Sequence, residues 1–355
     1  MCIRDSSLIY FTWVVREFLS AHLIGVCVLQ ALIKYFEIEE NGTTVRRETL
    51  AGLTTFLTMA YIIFVNPAIL ADAGMDRDAA FVATCLAAAF GSLLMGILAN
   101  YPIALAPGMG LNAFFTYTVV GQMGHSWQTA LGIVFLSGII FLLLSVFPVR
   151  EWIVNSIPRA LKMAISAGIG MFLAIIALKS AGIVVDNPVT LVQLGDLGQP
   201  AALFTAIGLF AMVAMDRLKV PGAILIAILG ITIVASILGM NQFSGVVSAP
   251  PSLAPSFMQM DLATAFELGL IAVIFAFLFV DLFDTAGTLI GVAHRAGLLD
   301  KDGRLPRLRG ALLADSLSTV AGAAIGTSTT TSYIESAAGI RAGGRTGRTA
   351  IDVAI

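Results

Sequence analysis

Four acidic residues lie within long apolar stretches of the sequence, where no water would solvate a carboxylate. They are Asp281, Asp284, Asp315 and Glu335. An Asp at the centre of a membrane helix costs about 2.5–3.5 kcal/mol even on lenient insertion scales, and the same stretches contain no Lys or Arg to pair with these acids. Such residues usually bind a substrate or carry protons. For Asp315, neighbouring Ser and Thr hydroxyls favour a packing role instead.

Asp281 and Asp284 are three residues apart and would share a helix face. Two nearby carboxylates in a low dielectric resist double ionisation, so this pair can hold a proton. Glu335 is expected in the first turn of a half-helix after an extended Thr327–Ser332 segment, where free backbone N–H groups would face a cavity. Carboxylate acceptors beside N–H donors suit a flat, neutral heterocycle such as a purine base. An anion would need Lys or Arg.

Two apolar segments are interrupted, and this is the strongest indication of a binding site. One is Ala104–Asn112, broken by Pro107, Gly108 and Gly110, and the other is Gly326–Glu335. In lipid, irregular backbone is tolerated only where it lines a cavity. Two breaks in corresponding places indicate the substrate site of a transporter.

Asn112 follows the first break. Its amide can donate and accept, so it can bind a substrate or clamp the broken helix, and both roles remain open. Phe114, Phe115 and Phe283 can stack on a ring, although packing is the commoner role of a phenylalanine.

The composition is that of a polytopic membrane protein. Of 355 residues, 58% are hydrophobic and 12% charged, whereas soluble domains carry about 25% charged residues. The net charge of -2 argues against nucleic-acid partners. Cys2, Cys27 and Cys85 form no ligand spacing, so we predict no metal, disulfide framework or cofactor.

A template of about 20 apolar residues predicts ten spans, of which the third and tenth are broken. They are Leu50–Leu70, Ala79–Ala99, Ile103–Gln122, Trp127–Phe147, Leu161–Ala181, Ala201–Met215, Val220–Met240, Thr264–Ala293, Gly310–Ile325 and Thr327–Ile340. With the N-terminus inside, fifteen Lys and Arg fall in cytoplasmic loops and only Arg77 and Lys179 fall outside. This asymmetry predicts a cytoplasmic N-terminus.

The spacing of the breaks predicts an inverted repeat. The broken third span begins about 55 residues after the first span starts, and the broken tenth begins about 60 residues after the eighth starts. The first and eighth spans are seven spans apart, and so are the third and tenth. An odd number of spans per repeat inverts the second copy.

Both ends of the sequence are unusual. Residues 1–33 are interpreted as a doubtful leader, either translated upstream sequence or an extra helix. The sequence stops at Ile355 inside a new apolar run, so we expect a fragment truncated at its C-terminus.

From Lys34 onward the chain resembles the AzgA-like branch of the nucleobase–cation symporter family, the purine permeases. The stretches that carry the resemblance are Gly42–Glu48 (GTTVRRE), Gly52–Pro67 (GLTTFLTMAYIIFVNP), Ala106–Phe115 (APGMGLNAFF), Phe279–Gly291 (FVDLFDTAGTLIG) and Gly326–Gly339 (GTSTTTSYIESAAG).

The resemblance implies an all-α fold of seven-plus-seven inverted repeats, with a core and a gate domain. Here residues 34–160 and 241–355 would belong to the core and 161–240 to the gate. Short extended strands of spans three and ten would meet at the substrate site.

The resemblance also implies roles for individual residues. The acid of span eight corresponds to Asp281, with Asp284 one turn later, and the acid of span ten corresponds to Glu335. The substrate-binding set is Glu335, Asp281, Asn112, Asp284, Tyr333 and Gly110. Asp281, Asp284 and Glu335 are the proton-coupling candidates.

The implied function is proton symport of hypoxanthine, guanine or adenine across the inner or plasma membrane. A homodimer is left open. Three alternatives remain: a xanthine, uracil or anion carrier of the same fold, a cation channel, which would give non-saturating current, and an intramembrane enzyme. The paired breaks favour a carrier, so we predict that the chain is not an enzyme.

Overall fold

The structure is a computed structural model that describes residues 33–146, 159–220, 222–240, 249–267, 270–301 and 305–355. The predicted leader lies outside the described residues, apart from Ile33. The helices are α1 (Val45–Met59), α2 (Ile62–Asp72), α3 (Arg77–Leu94), α4 (Met109–Ala113), α5 (Trp127–Val146), α6 (Arg159–Ser180), α7 (Pro200–Arg217), α8 (Ala223–Ile237), α9 (Leu262–Ala265), α10 (Ile271–Ala296), α11 (Leu308–Ile325), α12 (Ser336–Ala342) and α13 (Gly347–Ala354). The strands are β1 (Leu105–Pro107), β2 (Val184–Asn187), β3 (Leu191–Leu194) and β4 (Thr330–Ser332).

Within the described residues, six helical segments are long and apolar enough to cross a membrane. They are Val45–Asp72, Arg77–Ala99, Trp127–Val146, Pro200–Arg217, Ile271–His294 and Leu308–Ile325. Large apolar side chains on α7 and α8 point outward, with Phe210 73% and Ile237 79% exposed. Such surface is stable against lipid rather than water. The chain is therefore a mostly helical, multi-pass membrane protein.

Two predicted spans differ in detail from the observed helices. The first span is divided, because α1 ends at Met59 and α2 begins at Ile62. The eighth begins at Ile271 rather than at Thr264, because Asp261 caps the separate short helix α9. The Thr264 hydroxyl and amide donate to the Asp261 carboxylate and hold the pKa of that carboxyl below its usual range.

The broken third and tenth spans each contain a strand, and the two strands pair. β1 and β4 are antiparallel, with Leu105 opposite Ser332 and Pro107 opposite Thr330. The Gly108 amide extends the pair by donating to the Thr329 carbonyl at 2.9 Å. After β1 the chain continues as α4 and then as a π-helix, Phe114–Gln122. The backbone N–H and C=O groups of each break thus find hydrogen-bond partners in the other break.

A second antiparallel pair, β2 with β3, corrects the all-α prediction. This hairpin connects α6 to α7, and its strands are largely exposed. The turn between them begins at Asn187, whose side-chain oxygen accepts from the amides of Val189 and Thr190 at 2.8 and 3.1 Å. Such an Asx turn stabilises a tight reversal, which the span template does not register.

Helices from the two halves of the sequence pack directly on one another. Helix α11 lies against α5 and α3, while α12 and α13 lie against α1. The contacts are close because glycines line them: a Cβ built on Gly138 would lie 3.1 Å from Thr319, and one on Gly52 would lie 2.6 Å from Asp352. Helices α7 and α8 pack chiefly on each other.

Candidate functional site

A cavity lies where the two strand–helix junctions meet α10 and the break in the first span. Its lining residues are Tyr61, Gly108, Met109, Gly110, Leu173, Asp284, Thr288, Thr331, Ser332, Tyr333, Ile334 and Glu335. Four of the six predicted substrate-binding residues are therefore brought together, namely Glu335, Asp284, Tyr333 and Gly110. The other two, Asp281 and Asn112, lie outside this lining.

Glu335 is held at the start of the half-helix α12, as its N-cap residue. Its side chain makes no capping hydrogen bond to that helix and instead accepts a hydrogen bond from the Tyr61 hydroxyl, 2.6 Å from Oε1. The side chain is partly exposed to the cavity. The carboxylate is therefore anchored through one oxygen and keeps acceptor capacity on the other.

The prediction that the start of α12 presents free N–H groups beside Glu335 does not hold for three of its amides. The amides of Ser336, Ala337 and Ala338 donate to the carbonyls three residues earlier, at 3.2, 3.0 and 2.8 Å. This tight first turn satisfies donors that would be unpaired at the start of a regular helix. The amides of Ile334 and Glu335, which line the cavity, have no backbone acceptor among the described residues.

Further N–H donors come from the other half-helix. In α4 the first amide that makes a helical hydrogen bond to the fourth preceding residue is that of Asn112, which donates to the Gly108 carbonyl at 2.9 Å. The N–H groups of Met109, Gly110 and Leu111 precede it, as at any helix start, and no backbone acceptor is found for them among the described residues. Because Met109 and Gly110 line the cavity, their amides can donate to a bound solute.

Asp284 brings the second carboxylate to the cavity from α10. It is close enough to Glu335 for the two acids to interact electrostatically, and the Thr331 hydroxyl lies next to it. The cavity thus has two carboxylates opposite the amides of α4. No Lys or Arg contributes to the described lining.

Asp281 points to a different neighbour. It is 1% exposed, and the Thr285 hydroxyl lies 3.4 Å from its Oδ1 and 3.1 Å from both carboxylate oxygens of Asp315. Three residues of α-helix correspond to a rotation of roughly 60° between side-chain directions. That angle is enough to place Asp284 at the cavity and Asp281 between α10 and α11. The Asp315 carboxylate accepts from the Thr285 hydroxyl of α10. The neighbouring hydroxyls of Ser316, Ser318 and Thr319, which the sequence analysis favoured as its partners, donate to backbone carbonyls.

Asn112 clamps the crossing of the broken spans. It is fully buried, its amide donates to Asn66 Oδ1, and its own Oδ1 accepts from the Ser328 hydroxyl. Asn66 donates in turn to the hydroxyls of Thr84 and Thr327 at 2.7 and 2.9 Å. Of the two roles left open for Asn112, the geometry favours the clamp.

Tyr333 also serves the backbone, because its hydroxyl donates to the Pro107 carbonyl at 2.5 Å and so ties α12 to the end of β1. Two of the phenylalanines considered for stacking are engaged in packing. Phe115 is fully buried, and Phe114 meets Phe277 edge-on with ring centroids 5.1 Å apart.

Tyr61 and Thr288 are cavity residues that the sequence analysis missed. A sequence signal existed for Tyr61, since a tyrosine inside an apolar span needs a hydrogen-bond partner for its hydroxyl. Among the described residues, no group of three or more His, Cys, Asp or Glu could hold a metal ion.

Comparison with known proteins identifies the class of molecule. The chain is 49% identical over 324 residues to the adenine permease AdeP of Escherichia coli strain K12, covering 91% of the chain and 73% of the relative. It is 46% identical over 326 residues to the guanine/hypoxanthine permease PbuO of Bacillus subtilis strain 168, covering 90% and 75%.

Its fold is similar to the transmembrane domain of a cyanobacterium bicarbonate transporter, BicA, with a TM-score of 0.61 at 14% identity over 87% of this chain and 80% of that one. A sequence profile of the Permease family matches residues 46–355. The chain therefore belongs to the Permease family of membrane transporters, and it is not an enzyme.

Proposed function

We propose that this chain imports purine nucleobases, namely hypoxanthine, guanine or adenine, by proton symport. The proposal depends on one observation: the cavity sets the carboxylates of Asp284 and Glu335 against the free amides at the start of α4. Relatives named adenine and guanine/hypoxanthine permeases support the choice of a purine.

The binding geometry follows from the donor and acceptor inventory. Ring or exocyclic N–H groups of the base donate to Glu335 and Asp284, and a carbonyl or ring nitrogen accepts from the amides of Met109 and Gly110. Each group on the protein would remain buried and unpaired if a solute lacked its counterpart, and such loss is costly. A base with both kinds of group is therefore favoured over an apolar or purely anionic solute.

Proton coupling is assigned to the three acids Asp281, Asp284 and Glu335. Asp284 and Glu335 share a low-dielectric cavity, where two like charges resist simultaneous ionisation, so binding of a neutral base favours uptake of one proton. Asp281, beside Thr285 and Asp315, is a second place where a proton can reside.

We also propose the architecture that moves this site. The chain would form a core from residues 34–160 and 241–355, and part of a gate from 161–240, within a seven-plus-seven inverted repeat. The antiparallel pairing of β1 with β4 supports the inversion. The N-terminus would be cytoplasmic in the inner or plasma membrane, the core would shift against the gate, and a homodimer would be compatible with this arrangement.

Uptake of labelled hypoxanthine, guanine and adenine at an acidic and a neutral pH tests the function. Glu335→Gln should reduce uptake by about 10- to 100-fold, because a hydrogen bond to a charged group contributes about 1.5–3 kcal/mol. Glu267→Gln is the matched control, since Glu267 is exposed and outside the cavity. Normal uptake by Glu335→Gln, or preferential uptake of uracil or xanthine, would contradict the proposal.

A further inference from the structure

The first span is interrupted beside the cavity, just before the Ile63 carbonyl, which Pro67 leaves without its usual helical donor. Between α1 and α2, the Ile63 amide donates to the Ala60 carbonyl at 3.2 Å and the Phe64 amide to the Tyr61 carbonyl at 3.1 Å. These bonds to the third preceding residue form a tighter turn than the α-helix. The turn directs Tyr61 into the cavity lining.

Tyr61 is committed to one partner there. Its side chain is only 7% exposed, and its hydroxyl donates to Glu335 Oε1 at 2.6 Å. The short distance is typical of an O–H group that donates to a carboxylate. The Thr58 hydroxyl, one turn earlier, lies 3.5 Å from the Glu335 carbonyl oxygen but is closer to the Thr55 carbonyl, at 2.8 Å. Tyr61 therefore supplies the close hydrogen bond from the first span to Glu335.

This contact has two chemical consequences. With Oε1 occupied by Tyr61, the carboxylate plane is fixed and Oε2 remains as the acceptor for a solute. A donor also stabilises the ionised carboxylate more than the neutral acid. The other titratable groups that face Glu335 across the described cavity are Asp284 on α10 and Tyr333 between β4 and α12. The Tyr333 hydroxyl donates to the Pro107 carbonyl rather than to Glu335.

We propose that Tyr61 is the positioning residue for Glu335: it holds one carboxylate oxygen and presents the other to an N–H group of the purine. This inference rests on the proposed function. It concerns a residue outside the two broken spans and α10, so the first span becomes part of the recognition apparatus.

Tyr61→Phe removes the hydroxyl and keeps the ring. In uptake assays with labelled adenine and hypoxanthine, its apparent KM should rise about tenfold, as expected for one hydrogen bond to a charged group. Vmax should stay near that of the unmodified chain. A purely structural role would lower Vmax through the amount of folded transporter and leave KM unchanged.

Tyr117→Phe is the matched control. The Tyr117 hydroxyl donates to Asp72 Oδ2 at 2.7 Å, so the variant removes the same kind of bond between the first and third spans. Tyr117 is outside the cavity lining. KM should be unchanged in this variant.

The outcomes distinguish a failure of the proposed function from a failure of the proposed role of Tyr61. Absence of purine uptake by the unmodified chain would overturn both the function and the inference. Purine uptake with a Tyr61→Phe variant that behaves like Tyr117→Phe would overturn the inference alone. If Tyr61→Phe reaches the membrane in smaller amounts, adenine titration of the purified protein gives the comparison per molecule, and an unchanged Kd would refute the role of Tyr61.

Discussion

At the scale of single residues, the buried polar side chains perform two separable tasks. Asp284 and Glu335 face the cavity, whereas Asn112 and Tyr333 hold the backbone that forms it. The distinction matters because substitution of residues that hold the backbone changes transport by altering the shape of the cavity. Their substitution should show first in stability and only then in substrate binding.

Asn112→Ala tests this division. The change leaves the Asn66 side-chain oxygen and the Ser328 hydroxyl without their partner, and an unsatisfied buried polar group costs about 1–3 kcal/mol. We expect a lower thermal unfolding temperature of the detergent-purified protein. Asn41→Ala is the control, since Asn41 is exposed and donates only to a neighbouring carbonyl. A stable Asn112→Ala protein that has lost purine binding would instead identify Asn112 as a ligand.

The sequence predicted the acidic residues of the site but could not show which of them line the cavity. Asp281 and Asp284 differ by three positions, and only the packing of α11 against α10 shows that Asp281 turns toward Asp315. Tyr61 was missed because its own backbone is right-handed helical, with φ of -58° and ψ of -25°, and the residue that disturbs the helix there, Pro67, lies six positions later. Side-chain direction at a weak break is decided by tertiary contacts.

At the scale of elements, close helix contacts hold the half-helices in place. A Cβ on Gly339 of α12 would overlap the Thr55 hydroxyl and lie 2.5 Å from the Ala51 carbonyl oxygen of α1. Because a backbone oxygen cannot rotate away as the end of a flexible side chain can, the contact requires glycine at this separation of the helices. The position of Glu335, four residues earlier, depends on this contact.

Gly339→Ala should therefore destabilise the protein by about 1–3 kcal/mol, the usual cost of overpacking. Gly230→Ala provides the control, because a Cβ there meets nothing within 4 Å on the exposed side of α8, and alanine is the better helix former. Thermal unfolding of the two variants in the same detergent measures the difference. Equal unfolding temperatures would show that α12 can shift away from α1.

The interruptions were predictable at this scale, whereas their pairing was not. Pro107 and the neighbouring glycines cannot continue a helix, and the polar Thr-rich run at β4 is incompatible with lipid contact. The register that places Leu105 opposite Ser332 depends on contacts between distant parts of the chain. The β2–β3 hairpin was overlooked because the span template tests only for apolar length.

At the scale of the whole molecule, the proposed orientation of the chain in the membrane can be tested on intact cells. Val189 in the β2–β3 turn is 89% exposed, and Leu218 after α7 is 77% exposed. A cytoplasmic N-terminus places the first outside and the second inside. A membrane-impermeant maleimide should label Val189→Cys but not Leu218→Cys, after subtraction of labelling of the starting chain. The reverse pattern would invert the topology.

The pairing of β1 with β4 also imposes a delay during biosynthesis, because β4 is synthesised long after β1. Tyr333 and the Pro107 carbonyl that it binds are 226 residues apart, so at about 5–20 residues per second a ribosome needs about 10 to 45 s to supply the second strand. During that interval the interrupted third span has no β4 to satisfy its backbone. We expect nascent chains that stall before residue 330 to be preferred targets of membrane quality-control proteases.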